Sequence, residues 1–264
     1  MPRPARLIVP DIAVHVVQRG NDGADCFRET GDYMLYLLHL RQLSEESGCA
    51  LHAYCLMTNH VHLLLTPAAH ESCSNLMRDL GQRYVQSFNR RHGRTGTLWE
   101  GRFHSSVVES ARYVLACYRY IESNPVRARM VNHPTEYAWS SYWANAGIRA
   151  DSLLSAHEEY LALAAGGMER IKAYTALFEN PLDGGLTQSI REAVNNGHPL
   201  ASESFKATLA ASTGRTLEPK RPGRPRKGDG NAARAAGKSG SDPDLSSGNK
   251  SGSDPDLFSE GGVS

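Results

Sequence analysis

Apolar side chains in the first half of the chain recur with two different periods, and each change of period marks off an element. Residues 12–17, Ile-Ala-Val-His-Val-Val, are a β-branched run that stops at Gln18-Arg19-Gly20-Asn21, a turn signal, so a strand and a loop are predicted there. Tyr33, Leu37, Leu40 and Leu43 recur at helical spacing, and that pattern ends at Gly48. Residues 50–57 and 61–66 are apolar runs on either side of Thr58-Asn59-His60, as expected of antiparallel strands joined by a tight connection. A second long helix is predicted over 74–91, a fourth strand over 103–108 after the Gly-rich stretch 92–101, and a third helix over 111–123. The order β-α-β-β-α-β followed by a helix predicts an α+β fold of the ferredoxin-like, split βαβ class. Helices are expected on one face of its sheet, with the other face open to a ligand.

Past residue 150 the pattern weakens. Helical periodicity returns over 155–165, 168–178, 186–195 and 203–211 with modest apolar content, which predicts a small helical accessory region at 150–212 attached to a domain at 8–145. From about residue 214 Gly, Ser, Pro, Asp, Lys and Arg replace nearly every large apolar residue, so 213–264 is expected to be a disordered tail, basic and then repetitive. It ends in a direct repeat, KSGSDPDLSSGN from Lys238 and KSGSDPDLFSEG from Lys250, whose single Leu or Leu-Phe per unit cannot build a core.

Composition sharpens this division. The 40% hydrophobic content supports a real core, and every Trp and most other aromatics fall in residues 1–145. The net charge of +1 averages the acidic repeats against KRPGRPRK at 220–227, five cations in eight positions. Residues 1–150 hold no Lys, so each fixed cation there is an Arg, whose planar fork suits phosphate; a GC-rich gene accounts for part of this bias. Five cysteines with no CxxC spacing indicate neither a disulfide framework nor a zinc knuckle, and are expected to be reduced core residues. With no signal-like run and no stretch long enough to span a bilayer, a cytoplasmic protein is expected.

Two short segments carry candidate chemistry. On a strand, residues two apart share a face, so His60 and His62 project side by side and could share a metal, although a His-x-His pair can also be structural. Tyr120 and Asn124 stand one turn apart on the third helix and so share a face. Pro125 disfavours helix at Asn124, which would place its amide oxygen at an exposed helix end as a metal ligand. The alternative is that Tyr113, Tyr118 and Tyr120 are amphipathic core or rim residues. Helical phase sets Tyr118 about 200° from Tyr120, so only one of the two can face a given site.

The segments MTNHVHLLL, GTLWEGRF, YRYIESNPVRARMV and EYAWSSY, in this order, resemble the single-tyrosine HUH transposases, most closely the REP-associated tyrosine transposases. The resemblance covers about residues 8–145 and implies a ferredoxin-like fold. It makes His60 and His62 the HUH pair, Tyr120 the nucleophile and Asn124 the third ligand of a Mg2+ or Mn2+ ion. Arg19, Glu100 and Arg102 match recurrent positions near DNA. The implied partner is single-stranded DNA at palindromic repeats that fold into hairpins, cut through a 5′-phosphotyrosine intermediate that leaves a free 3′-OH for strand transfer.

DNA contacts are further expected from Lys220, Arg221, Arg224, Arg226 and Lys227, where Gly223-Arg224-Pro225 is either the core of an AT-hook or part of a generic basic linker. Trp99, Tyr84 and Phe103 could stack splayed bases or pack in the core. A metal-dependent endonuclease and strand transferase associated with the nucleoid is the leading expectation. A non-catalytic DNA-binding regulator on the same fold and an HUH replication initiator or relaxase are the alternatives.

Overall fold

The structure is a computed structural model that describes residues 6–217. The expected disordered tail, its repeat and the basic segment at 220–227 lie outside the described residues. The chain runs β1 (Val14–Arg19), α1 (Thr30–Glu46), β2 (Cys49–Met57), β3 (His60–Pro67), α2 (Ser72–Arg91), β4 (His104–Val107), α3 (Ser110–Glu122) and α4 (Asn124–Arg127). It continues through α5 (Tyr142–Asn145), α6 (Glu158–Leu161), α7 (Gly167–Ala176), α8 (Gly184–Asn196) and α9 (Glu203–Thr213). The strands form one antiparallel sheet in the order β2-β3-β1-β4, the arrangement expected of a split βαβ fold.

One face of the sheet carries Val14, Val16, Tyr54, Leu56, Val61, Leu63 and Leu65, which pack with Tyr36, Leu40 and Leu43 of α1 and Leu76, Leu80, Tyr84 and Phe88 of α2. An irregularity between Leu51 and Ala53 resets the alternation of β2, so that Leu51 falls in this same core with Tyr54 and Leu56. Trp99, Tyr84 and Phe103 belong to this core as well, so they do not form an exposed stacking platform.

The second face is not open, and here the expectation is corrected. Ala53, Cys55, Met57 and Leu64 lie under α3, whose Val114, Cys117 and Ile121 meet them, while Tyr174 of α7 and Ile190 of α8 extend the same core. The physical reason is visible in the strands. An open face would alternate polar side chains with apolar ones, whereas β2 is apolar on both sides and is buried on both. The accessory helices share this core, and the chain around Leu200 pairs alongside Val107 and Glu109, which covers the outer edge of β4. The helix expected over 155–165 shrinks to α6, because residues before it bind the irregular stretch of β2 instead: Ser155 N donates to Leu51 O at 2.7 Å, and Ser155 O bonds His52 Nδ1 at 2.7 Å. All five cysteines are buried and unpaired. Among the described residues no helix is long and apolar enough to cross a membrane.

Two buried carboxylates pin the helices. Asp32 closes a capping box with Glu29 at the start of α1, accepting from Arg28 N at 2.9 Å and Glu29 N at 3.3 Å. It also accepts from Arg91 Nη1 at 3.2 Å and His92 Nε2 at 2.9 Å, which fastens the end of α2 to the start of α1. Glu122, the last residue of α3, has no cation partner among the described residues. Its Oε1 accepts from Ser141 Oγ at 2.6 Å and Asn145 Nδ2 at 2.7 Å, and its Oε2 from Tyr174 Oη at 2.5 Å. Ser141 is in turn bonded to the backbone of Tyr54 in β2, so this carboxyl ties the end of α3 to the sheet and to α5 and α7.

The two groups respond oppositely to pH. Burial works to raise the Asp32 carboxyl, but the Arg28 amide and His92 more than offset it and hold it below the ordinary range. Its contribution is therefore present above about pH 4 and is lost as pH falls through the native value. Asp32→Ala is expected to cost about 3 kcal/mol at pH 7, because it strands Arg91 and the helix-start amides. Urea melts of variant and wild type should converge toward pH 3; a constant gap would contradict the assignment. Burial pushes Glu122 up to about 7, although its three hydrogen bonds work the other way. Its contribution is greatest below the ordinary carboxyl value and declines as pH rises toward about 7. Glu122→Gln should thus gain on wild type by roughly 2–3 kcal/mol between pH 5 and pH 8, whereas Glu122→Ala should be destabilised at both. The same melts test this, and a Gln variant that keeps a fixed offset across the range would refute it.

Candidate active site

The turn Thr58-Asn59 brings β3 back beside β2, and its first residues, His60 and His62, stand opposite Met57 and Cys55 on one side and Arg19 and Val17 of β1 on the other. Strand alternation puts both imidazoles on the face covered by α3 while Val61 enters the opposite core. Their ring centroids are 5.0 Å apart. On α3, Val114, Cys117, Tyr118 and Ile121 are buried at helical spacing, which fixes the rotation of the helix. That rotation brings Tyr120 to His62, with ring centroids 5.8 Å apart. Tyr118 turns away and packs against Tyr160 and Tyr174. The structure therefore brings His60, His62 and Tyr120 together and leaves the rival tyrosine in the core.

Asn124 reaches the same cleft by a different route from the one expected. Pro125 ends α3, but the chain turns at once into α4, with Ala128 N bonded to Asn124 O at 2.9 Å, so Asn124 lies at a buried junction with 9% exposure. Its Nδ2 donates to Ile121 O at 3.3 Å, and its Oδ1 accepts from Arg127 Nη2 at 2.7 Å. The exposed helix end is thus corrected to a buried one, because α4 folds Arg127 back over it.

The cleft has a volume of about 300 Å³ and is lined by Arg19, His60, His62, Tyr120, Asn124 and Arg127, and from α8 by Arg191 and Asn195. Among the described residues no carboxylate lines it. Burial depresses His60 to about 4 and His62 well below its ordinary value; the neighbouring cations Arg19 and Arg127 add to both, and for His62 so do His15 and His60. Both imidazoles are neutral near pH 7, the state in which histidine binds metal. Arg102 is exposed before β4 and does not line the cleft. Glu100 N donates to Arg19 O at 2.8 Å, which ties that loop to β1.

Four contributors escaped the sequence analysis. His15 is fully enclosed on β1, with burial lowering it to about 3, and its Nε2 bonds His62 Nδ1 at 2.9 Å. Asn59 Oδ1 bonds His60 Nδ1 at 2.7 Å. Arg127 and Arg191 are the others. Strand parity could have found His15, which shares a face with Val17 and Arg19, and the i, i+3 relation to Asn124 could have found Arg127. Nothing in the sequence links α8 to the cleft.

The donor set fits a divalent ion. An amide oxygen only accepts, so Asn59 makes His60 Nδ1 the protonated nitrogen and leaves Nε2 with the lone pair, while the bond to His15 occupies His62 Nδ1 and leaves Nε2 as the ligating nitrogen in the tautomer in which Nδ1 donates. Asn124 Oδ1 has two acceptor sites, one filled by Arg127 and one available. Glu29, Asp32 and His92 form a second group consistent with a divalent ion, each able to offer one atom within 4.8 Å of the others. There, however, Arg91 already stands 3.2 Å from Asp32 and 3.5 Å from Glu29 and supplies the positive charge.

The family model described as transposase IS200-like matches residues 8–124. No curated protein matches the chain. Among solved structures, a REP-associated tyrosine transposase bound to a REP hairpin is 14% identical with a TM-score of 0.47, covering 60% of this chain and 93% of the other. A candidate transposase from Deinococcus radiodurans R1 is 18% identical with a TM-score of 0.32, covering 49% and 92% respectively.

Proposed function

We propose that the protein is a single-tyrosine DNA strand transferase of the REP-associated branch, a reading supported by the match of residues 8–124 to the IS200-like transposase family model. The substrate is single-stranded DNA beside a hairpin formed by palindromic repeats. The observation that carries this reading is the convergence in one cleft of Tyr120 with two neutral imidazoles, each held at Nδ1 by a neighbouring side chain.

Each residue has a task in the chemistry. His60, His62 and Asn124 would hold a Mg2+ or Mn2+ ion that, when bound, polarises the scissile phosphate; two imidazole donors favour Mn2+ over the oxygen-preferring Mg2+. His15 and Asn59 orient the imidazoles. Tyr120 attacks phosphorus and carries the 5′-phosphate as a phosphotyrosine, and a free 3′-OH can reverse the step on another strand. The apolar walls of Val17 and Met57 limit water around the linkage. Arg19 supplies positive charge at the cleft. Arg102, together with Lys220, Arg221, Arg224, Arg226 and Lys227 of the basic segment, adds DNA contacts.

Incubation of the full chain with hairpin DNA and Mn2+ should give a protein–DNA adduct that survives denaturant. It should disappear in Tyr120→Phe and in EDTA but persist in Tyr118→Phe. His15→Ala should weaken Mn2+ binding about 10- to 100-fold by calorimetry, since His62 loses its orienting partner. An adduct that persists in Tyr120→Phe, or undiminished activity in EDTA, would sink this reading.

A further inference from the structure

Resting on that reading, we propose that Arg127 is a catalytic residue of strand transfer: its Nη1 donates to a non-bridging oxygen of the scissile phosphate and stabilises the charge that oxygen gains during attack by Tyr120. Two contacts and one unused donor motivate this. The guanidinium carbon stands 4.0 Å from the centroid of the Tyr120 ring. Nη2 is held by Asn124 Oδ1 at 2.7 Å. Nη1 is buried and, among the described residues, has no hydrogen-bond partner. One guanidinium thus touches the nucleophile and the third ligand, belongs to a side chain that lines the cleft, and keeps a donor that no described protein group uses.

The charge balance points the same way. Among the described residues Arg127 has no ion pair, and the cleft it lines presents Arg19 and Arg191 and no carboxylate. A half-buried cation facing other cations is costly unless a counter-anion joins it, and a buried unpaired N–H adds to that cost. A phosphodiester answers both, being anionic and bearing acceptor oxygens that match guanidinium geometry. Lysine could not substitute, because a single ammonium cannot lie over the ring, hold Asn124 and reach a third acceptor together.

The step balances without another reactant. The Tyr120 Oη–P bond forms and the P–O3′ bond breaks; the phenolic proton passes to water and the 3′-oxygen takes one up from water. The phosphodiester carries one negative charge before and after. The additional charge exists only in the transition state, on the non-bridging oxygens, where a preorganised donor is most effective.

The test is single-turnover adduct formation with hairpin DNA carrying one phosphorothioate at the cut position, as separated diastereomers, in wild type, Arg127→Met and Arg127→Lys. Thermal melts establish which variants fold. In wild type one diastereomer should react about tenfold more slowly, and Cd2+ should not restore it, because that sulfur faces a guanidinium rather than a metal. Arg127→Met should lose about 100-fold in rate on the all-oxygen substrate and no longer distinguish that diastereomer, with hairpin affinity falling far less. Arg127→Lys should not recover the rate. Should Arg127→Met fail to fold, the wild-type diastereomer pattern and Arg127→Lys decide. A rate within about threefold of wild type with discrimination unchanged, or a wild type whose thio effects are all restored by Cd2+, overturns the role of Arg127. A wild type that forms no adduct overturns the underlying function instead.

Discussion

Burial of both faces of the four-stranded sheet is the constraint on which the rest of the site depends. With α1 and α2 on one face and α3 and the later helices on the other, only the ends of the strands can carry polar chemistry. His60, His62, Arg19 and Asn59 occur together where β3 begins and β1 ends. The helix that closes the second face also delivers Tyr120 and Asn124 to that end. One packing arrangement therefore desolvates the imidazoles, keeping them neutral, and supplies the phenol that faces them.

Precision at the cleft comes from groups outside it. His15 and Asn59 fix which imidazole nitrogens face inward. Glu122, two residues from the tyrosine, anchors the end of α3 through Ser141 and Asn145 at the two ends of α5 and Tyr174 of α7, so the tyrosine rests on a rigid helix rather than a loop. The charge distribution complements this. Carboxylates sit at helix junctions such as those of Asp32 and Glu122, and among the described residues the charged side chains that line the cleft are Arg19, Arg127 and Arg191, which prepares it for an anion.

The sheet order and the first three helices were legible because their periods are strong and their turn residues unambiguous. Strand period placed His60 and His62 on one face and helix period placed Tyr120 and Tyr118 on different ones, but the choice of Tyr120 rested on the resemblance of the segment YRYIESNPVRARMV and not on the period. The covered second face was harder to see. Ala53, Cys55 and Leu64 are individually bland, and the requirement for a cover is shown only by the absence of polar alternation. His15 was masked by the β-branched residues beside it. The burial of Asn124 depends on α4, which starts at the very residue where Pro125 signals an end. Arg191 and Asn195 enter from α8, some seventy residues beyond the tyrosine, a tertiary contact no local pattern encodes.

The central claim is that Tyr120, and no other tyrosine, becomes joined to DNA. Trypsin cuts after Arg119 and Arg127, so Tyr120 falls in the peptide YIESNPVR, while Tyr113 and Tyr118 fall together in YVLACYR. Mass spectrometry of the trypsin- and nuclease-treated adduct should find the nucleotide phosphate on YIESNPVR, with fragment ions placing it on Tyr120. Its appearance on YVLACYR, or on any peptide from outside the cleft, would contradict the account.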